Sequence, residues 1–352
     1  MSNEKVFFDY LLPVINFLGL RPKELNKFQK IRALLMFVLI YYINTCLVTI
    51  ATFTNIETRL NGIEFVPISL MKNAEIFYFV TNSEKIFKIM MDWKIQKENK
   101  FDLHFLNGID FAARINKILL SQLIPKFFVG PIRFLITKKS TIPIKVPDSL
   151  FGFLSLWIYQ TCFIIYGQTV SYILDIVVYF NFSMMESYTK VVSDLIRNSS
   201  LRRTNEIYLE FLQKHKEFRE VFAKIILMRG ISMTVGCVLS VFKIINEHGV
   251  YGEAIGFLVF STIMGLKFFI PCYLGSKIEH TTQKFLRDIY EIDWLTMKKS
   301  NKINLMITQE CLKRPLRLSA VKVFHINLET FIRVLNFSFS SYAFLKHIHY
   351  SA

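Results

Sequence analysis

Long apolar blocks alternate with basic, polar blocks along this chain, and the apolar blocks have the length of membrane-crossing helices. A hydrocarbon layer of about 30 Å takes roughly 20 apolar residues in helical form. Seven stretches fit: Arg32–Phe53, Ile63–Thr81, Ile115–Ile136, a long one from near Leu150 past Met185, Val221–Ile245, Ala254–Ser276 and Ile326–Leu345. The second carries Lys72 and Glu75, and the third contains Pro125 and Pro131. The fourth is too long for one upright crossing, so it tilts or extends beyond the bilayer. The pattern predicts an all-α polytopic membrane protein with seven transmembrane helices. Met1–Lys30 has no apolar core of a cleavable leader, so the first span is expected to act as the insertion signal.

Basic residues fix the expected orientation, because cytoplasmic connections collect Lys and Arg. The N-terminal tail holds Lys5, Arg21, Lys23, Lys27 and Lys30, and the connection after span 2 holds Lys85, Lys88, Lys94, Lys97, Lys100 and Arg114. The connection after span 4 is basic from Lys190 to Lys224, and ten Lys or Arg lie between Lys277 and Lys322. The alternate connections carry Arg59, then Lys138, Lys139 and Lys145, then none in Asn246–Glu253. The N-terminus is therefore expected in the cytoplasm and the C-terminus outside. A G-protein-coupled receptor has the reverse orientation, and the Asp-Arg-Tyr and Asn-Pro-x-x-Tyr signatures are missing. Composition agrees with a membrane protein: 52% hydrophobic, 15% aromatic with 35 Phe, and only 20% charged. The net charge of +16 would suit nucleic acid in a soluble chain. Here it follows from topology, and no zinc spacing, basic helix or RNA-binding signature accompanies it.

The basic connections are themselves patterned. Ile207, Phe211, Phe218 and Phe222 recur near helical spacing in Tyr188–Ala223, as do Ile278, Phe285, Ile289 and Trp294 in Lys277–Met297. Spans 4 and 5 should continue as helices below the membrane. Ile303–Leu312 should form a short helix ended by Pro315. Two arrangements fit: a packed bundle under the membrane, or helices lying on anionic lipid. The chain divides into a cytoplasmic segment 1–31, helices 1 to 6 over 32–276, cytoplasmic anchor helices over 277–325, and the last helix with a short outer tail over 326–352.

Catalytic and metal chemistry find no footing. GxSxG, P-loop, HExxH and GxGxxG motifs are all missing, and no Cys or His set has metal-ligand spacing. No catalytic residue, cofactor or metal is expected. Cys46, Cys162, Cys237 and Cys272 lie in spans and Cys311 on the cytoplasmic side, so no outer disulfide is expected. The sequons at Asn181, Asn198 and Asn336 fall in spans or on the cytoplasmic side.

The last quarter of the chain carries a resemblance. Pro271-Cys272-Tyr273-Leu274-Gly275-Ser276 precedes Ile289-Tyr290-Glu291-Ile292-Asp293-Trp294. Arg314-Pro315-Leu316, Ala320, Lys322 and Phe324 follow, then Asn327-Leu328-Glu329-Thr330-Phe331 and Ser338–Tyr342. This order closely resembles the C-terminal third of insect odorant receptors. The gustatory receptors that share the architecture end in a Thr-Tyr-x-x-x-x-x-Gln-Phe pattern that this chain lacks. The co-receptor's long insert after span 4 is also missing, so the chain looks like a ligand-tuned subunit. The resemblance implies a plasma-membrane heterotetramer with the odorant co-receptor, forming a non-selective cation channel opened by a small volatile odorant. The gustatory-type channel and the G-protein-coupled receptor stand as alternatives.

Span 7 would line the pore. Ser338, Ser341, Leu345 and Ile348 recur at spacings of three and four, so they share one face. Leu345 falls at the family's gate position, where an apolar ring closes a pore by dewetting. Alternatively, the serines allow close helix packing. Phe331, Phe337, Phe339 and Phe344 lie on other faces. At the outer end the family's polar position is occupied by Ile348 and His349, with Lys346 near the mouth.

The family's pocket lies in the outer half of the bundle. Its matching positions are Met71, Ala74, Phe77 and Tyr78 on span 2, and Phe127, Phe128 and Pro131 on span 3. Span 4 offers Tyr159, Phe163 and Tyr166, and span 6 offers Phe257, Phe260, Ser261 and Met264. Such a set makes a mostly apolar cavity with a few hydrogen-bonding groups, although aromatic stripes also build ordinary core.

Lys72, Glu75, Asp175, Lys243 and Lys267 are charged within spans, each costing about 2.5–3.5 kcal/mol at mid-helix on insertion scales. Asp175 and Lys267 lie at depths that allow a pair, and Lys72 could pair locally with Glu75. Lys126 and Arg133 are close enough to the outer interface to snorkel. An epitope at the N-terminus should bind antibody only after permeabilisation, and one at the C-terminus on intact cells. The reverse labelling would overturn the orientation.

Overall fold

The computed structural model describes residues 70–97, 107–115, 117, 149–198, 201–246, 251–290, 295, 298–312, 317–320 and 324–351. Span 1 and nearly all of span 3, with Phe127, Phe128 and Pro131, lie outside them, as does segment 1–31.

Helix α1 covers 70–81 and α2 covers Ser83–Lys97, with Asn82 in a turn between them. The backbone ladder still crosses that turn, Asn82 N donating to Tyr78 O at 3.0 Å and Ile86 N to Asn82 O at 3.1 Å. Thr81 Oγ1 and Asn82 Nδ2 also donate to carbonyls one turn back, at 2.9 Å to Phe77 O and 3.0 Å to Tyr78 O. Such back-bonding competes with the ladder and bends helices. A short helix α3 covers 107–115.

Three long helices follow: α4 over Leu150–Asn198, α5 over Leu201–Asn246 and α6 over Tyr251–Tyr290. With 49 residues, α4 is about 74 Å long at 1.5 Å per residue. That is more than twice the hydrocarbon thickness, and α4 continues as one helix where the sequence predicts an extension. Ser149 caps its start, with Gly152 N donating to Ser149 Oγ at 3.2 Å. Every residue from 173 to 189 of α4 is buried. A helix buried all round must be apolar or satisfied all round. Val177, Val178, Phe182 and Met185 meet the first condition. Asn181 and Thr189 meet the second by donating back to Val177 O and Met185 O.

The core around α4 is aromatic. Phe182 lies 4.9 Å from Phe218 and 6.0 Å from Phe222 of α5, and those two lie 4.6 Å apart. Further along, Tyr208 and Phe211 of α5 bury against Tyr188 and Val192 of α4. Burial, then the negative charge of Glu210, pushes the Tyr188 phenol above its ordinary range. These contacts pack α4 and α5 against each other along this stretch. Among the described residues, Tyr208–Val238 of α5 is long and apolar enough to cross a membrane, and it overlaps predicted span 5.

The chain then forms α7 (Lys299–Leu312), two strands and α8 (Leu328–Ser351). The strands β1 (Ser319–Ala320) and β2 (Phe324–His325) pair antiparallel, Ala320 opposite Phe324, and are extended by Ile326 N donating to Leu318 O at 2.7 Å. The all-α expectation misses this clasp, which is too short to show an alternating pattern. Its Ala320 and Ile326 are buried.

The clasp sets α8 against α6 at one point of very close approach. A Cβ placed on Gly275 would lie 2.0 Å from the carbonyl oxygen of Ile326. Main chain cannot swing aside as a side chain can. At the same joint Leu328 N donates to Ser276 Oγ at 2.8 Å, and Asn327 Oδ1 accepts from Thr330 N at 3.0 Å as the α8 cap. Gly275→Ala should therefore destabilise by at least the upper end of the roughly 1–3 kcal/mol range for overpacking. Loss of the monodisperse peak in fluorescence-detected size-exclusion chromatography reads this out. A wild-type profile would contradict the joint.

Candidate ligand-binding core and helix α8

Charge gathers at the centre of the bundle. Arg229 of α5, buried, reaches Glu75 of α1 at 2.8 Å and Asp175 of α4 at 2.9 Å. Lys267 of α6 pairs with the other Asp175 oxygen at 2.5 Å. Lys267 Nζ also donates to Ser171 Oγ at 2.9 Å, and Lys72 Nζ donates to the same oxygen at 3.0 Å. The guanidinium of Arg229 lies 5.7 Å from the Tyr179 ring centroid, in cation–π range. One cluster thus ties α1, α4, α5 and α6 together.

The pair that depth allowed between Asp175 and Lys267 is present. Glu75 reaches across to α5 as well, which sequence spacing could not show. Arg229 is the member the sequence reading misses. Its signal was an arginine midway along a predicted span, which needs carboxylates to be tolerated there. The side chain of Lys243 lies outside the described residues.

The expected pocket residues separate by environment. On α1, Met71 is half-buried while Ala74 and Phe77 are exposed. The Tyr78 hydroxyl is taken by α5, donating to Val221 O at 3.1 Å, with Lys224 5.4 Å from its ring. Tyr78 therefore stands beside the beginning of predicted span 5. Met264 on α6 is buried, and half-buried Ser261 one turn before it donates to Cys237 Sγ at 3.4 Å. Tyr159 on α4 is half-buried, and its hydroxyl oxygen is buried with no hydrogen-bond partner among the described residues. Phe163, Tyr166, Phe257 and Phe260 fall within α4 and α6, but their side chains lie outside the described residues.

Aromatic contacts continue from the charge cluster to α8. Phe268, next to Lys267, lies 6.1 Å from Phe324 of β2 and 6.2 Å from Phe331 of α8. Phe269 meets Phe331 edge-on at 5.2 Å. Beyond Phe331, Ser338 is buried and its hydroxyl donates to Val334 O at 2.8 Å. Ser341 is half-buried, and the side chains of Leu345 and Ile348 lie outside the described residues. Ile332, Leu335, Phe337, Phe339 and Phe344 are exposed. This is an apolar surface that neighbouring helices or lipid must cover.

Among the described residues these features make a helical bundle with a buried charge cluster and an exposed apolar face on its last helix. The model of the 7tm odorant receptor family matches residues 142–339, more than half of the chain, and the chain belongs to that family. It is thus a membrane receptor of olfaction and not an enzyme. Over 97 residues it is 28% identical to odorant receptor 94a of Drosophila melanogaster, a stretch covering 28% of this chain and 25% of that one. The matched stretch thus spans about a quarter of that relative's length. The fold is similar to that of the insect olfactory receptor OR5 from Machilis hrabei in complex with eugenol, with TM-score 0.75 at 12% identity over 97% of this chain and 100% of that one. The same receptor's structure titled without a ligand gives 0.74 at 12% identity, over 97% and 98%. At such identity the likeness is one of fold.

Removing one partner from a buried ion pair costs about 3–5 kcal/mol, because the other charge is left uncompensated. Asp175→Asn leaves Arg229 and Lys267 sharing one fewer carboxylate, so it should lower thermal stability by several degrees or block surface delivery. Arg229→Lys, which keeps the charge but loses the fork that spans two carboxylates, should do less. Melting of the purified variants checks the order.

Proposed function

We propose that this chain is a ligand-tuned odorant receptor subunit. It spans the plasma membrane seven times with its N-terminus in the cytoplasm and forms a heterotetrameric, non-selective cation channel with the odorant co-receptor. The observation that carries the reading is the family match over 142–339, which runs through α4 to α8. The basic bias of the predicted cytoplasmic connections supports the orientation. The exposed apolar face of α8 supports assembly, since a helix with Phe337, Phe339 and Phe344 outward needs neighbours.

In this reading the helices below the membrane hold the subunits together, and the outer half of α8 borders one central pore. Ser341, Leu345 and Ile348 face the path, Ser338 braces the helix from within its subunit, and Leu345 forms the dewetting gate. The odorant sits between spans 2, 3, 4 and 6. Met71 and Met264 contribute apolar wall, with the aromatic positions of spans 3, 4 and 6 above them. The Tyr159 hydroxyl, which has no hydrogen-bond partner among the described residues, is suited to a single polar atom on an otherwise apolar ligand.

Cells given this chain together with the co-receptor should show odorant-evoked cation current, and cells given this chain alone should show none. Tyr159→Phe should raise the half-maximal concentration of oxygen-bearing odorants about 2–10-fold, the range of one hydrogen bond, and leave hydrocarbons unchanged. Current from this chain without the co-receptor would favour a gustatory-type channel instead.

A further inference from the structure

In the predicted cytoplasmic connections, the serines within three residues of an arginine are Ser199, Ser200 and Ser319. Ser200 has Arg197 three residues before it, Leu201 directly after it, and Arg202 and Arg203 two and three residues on. No Asp or Glu lies between Asp194 and Glu206. Ser319 has Arg317 two residues before it and Lys322 three residues after. A serine so flanked suits a protein kinase whose peptide cleft is lined by carboxylates, because a guanidinium fork binds a carboxylate through two hydrogen bonds.

The fold separates these serines. A kinase takes its substrate as an extended segment, so the flanking residues must come free. Ser319 lies in β1, paired with His325, between the buried Leu318 and Ala320. Leu318 O accepts from Ile326 N, and Arg317 is held by Glu279 at 2.7 Å. Freeing this segment dismantles the clasp. Ser199 and Ser200 fall between Asn198, the last residue of α4, and Leu201, the first of α5. Among the described residues, the last buried side chain of α4 is Ser193 and the first of α5 is Tyr208, while Asp194 and Glu206 between them are exposed. Opening the chain from Asp194 to Glu206 therefore leaves the described core of α4 and α5 intact, and helix ends open at little cost. Asn198 also lies twenty-three residues beyond Asp175, about 35 Å along α4, against a hydrocarbon layer of about 30 Å. An upright α4 whose Asp175 lies in that layer ends in water.

We infer that Ser200 is a phosphorylation site for an arginine-directed protein kinase. This rests on the receptor reading above for its orientation, which puts the α4–α5 connection on the side of the kinase and ATP. The serine oxygen bonds to the γ-phosphorus of ATP, the bond from that phosphorus to the β,γ-bridging oxygen breaks, ADP leaves with the electron pair, and the hydroxyl proton passes to a base of the kinase. The product phosphate carries a charge of about −1.5 to −2. It enters a stretch with three arginines, on the residue directly before α5, where a helix start favours an anion.

The test is labelling of the purified full chain in lipid nanodiscs by the catalytic fragment of protein kinase C with Mg-ATP, with sites read by peptide mass spectrometry. The folded chain should carry phosphate on Ser200 and at least about tenfold less on Ser319, whereas the heat-unfolded chain should accept it on both. Arg197→Ala should slow Ser200 labelling about tenfold, the size of one charge-assisted hydrogen bond, and Arg197→Lys should slow it less. A folded chain with no phosphate on Ser200, or with more on Ser199 or Ser319, would overturn the site. So would labelling indifferent to Arg197→Ala. In cells expressing the chain and treated with a phorbol ester, an N-terminal epitope reports orientation separately. Where that epitope is hidden, Ser200 phosphate should be found, and its absence overturns the site. An epitope exposed on intact cells instead sinks the receptor orientation, and with it the use of the site in cells.

Discussion

Arg229 sits where four helices meet, and the interior depends on how its charge is held. A guanidinium in the apolar middle of a bundle is tolerable only with carboxylates in its fork. Glu75 and Asp175 supply them from two different helices. Asp175 in turn holds Lys267 on a third. A register slip of α1 or α4 by one residue would swing a carboxylate off Arg229 and leave a buried charge unpaired. Apolar packing alone would penalise such a slip less, because Leu, Ile and Phe neighbours can substitute for one another.

Around that fixed point α4 acts as a pillar. Its middle is buried on every side, so α5 and α6 can both pack along it, and aromatic rings from α4 and α5 fill the space between. Below this level the same helices continue without a break and bury Tyr208, Phe211 and Tyr188. A change in the tilt of α4 at one end is therefore felt at the other, since the helix has no hinge to absorb it.

The connection to α8 is made by side chains adjacent to the charges. Lys267 belongs to the cluster, and the next two residues, Phe268 and Phe269, touch Phe331. The close seating of Gly275 on Ile326 and the Ser276 bond to Leu328 hold the foot of α8 to α6. Movement of α6 and movement of α8 are thus mechanically linked at the foot, while later turns of α8 keep an exposed apolar face.

Hydropathy and charge in the sequence were enough for the helical class, the extension of α4, the short helix before Pro315 and the start of α8 near Leu328. Those features depend on local composition, on which the chain's own periodicity reports directly. The residue order from Pro271 to Tyr342 also carried the family. Tertiary structure decided the rest. Glu75 reaches Arg229 rather than only its own helix, because a buried charge takes the best partner in space and not the nearest in sequence. Tyr78, on the same helical stripe as Met71, is held by the α5 backbone at a depth periodicity cannot report. The β clasp and the Gly275 contact exist only because two distant segments approach within van der Waals range. Ser338 turns inward because α8 packs on α6 through the Phe331 face, and helical spacing alone leaves that rotation open.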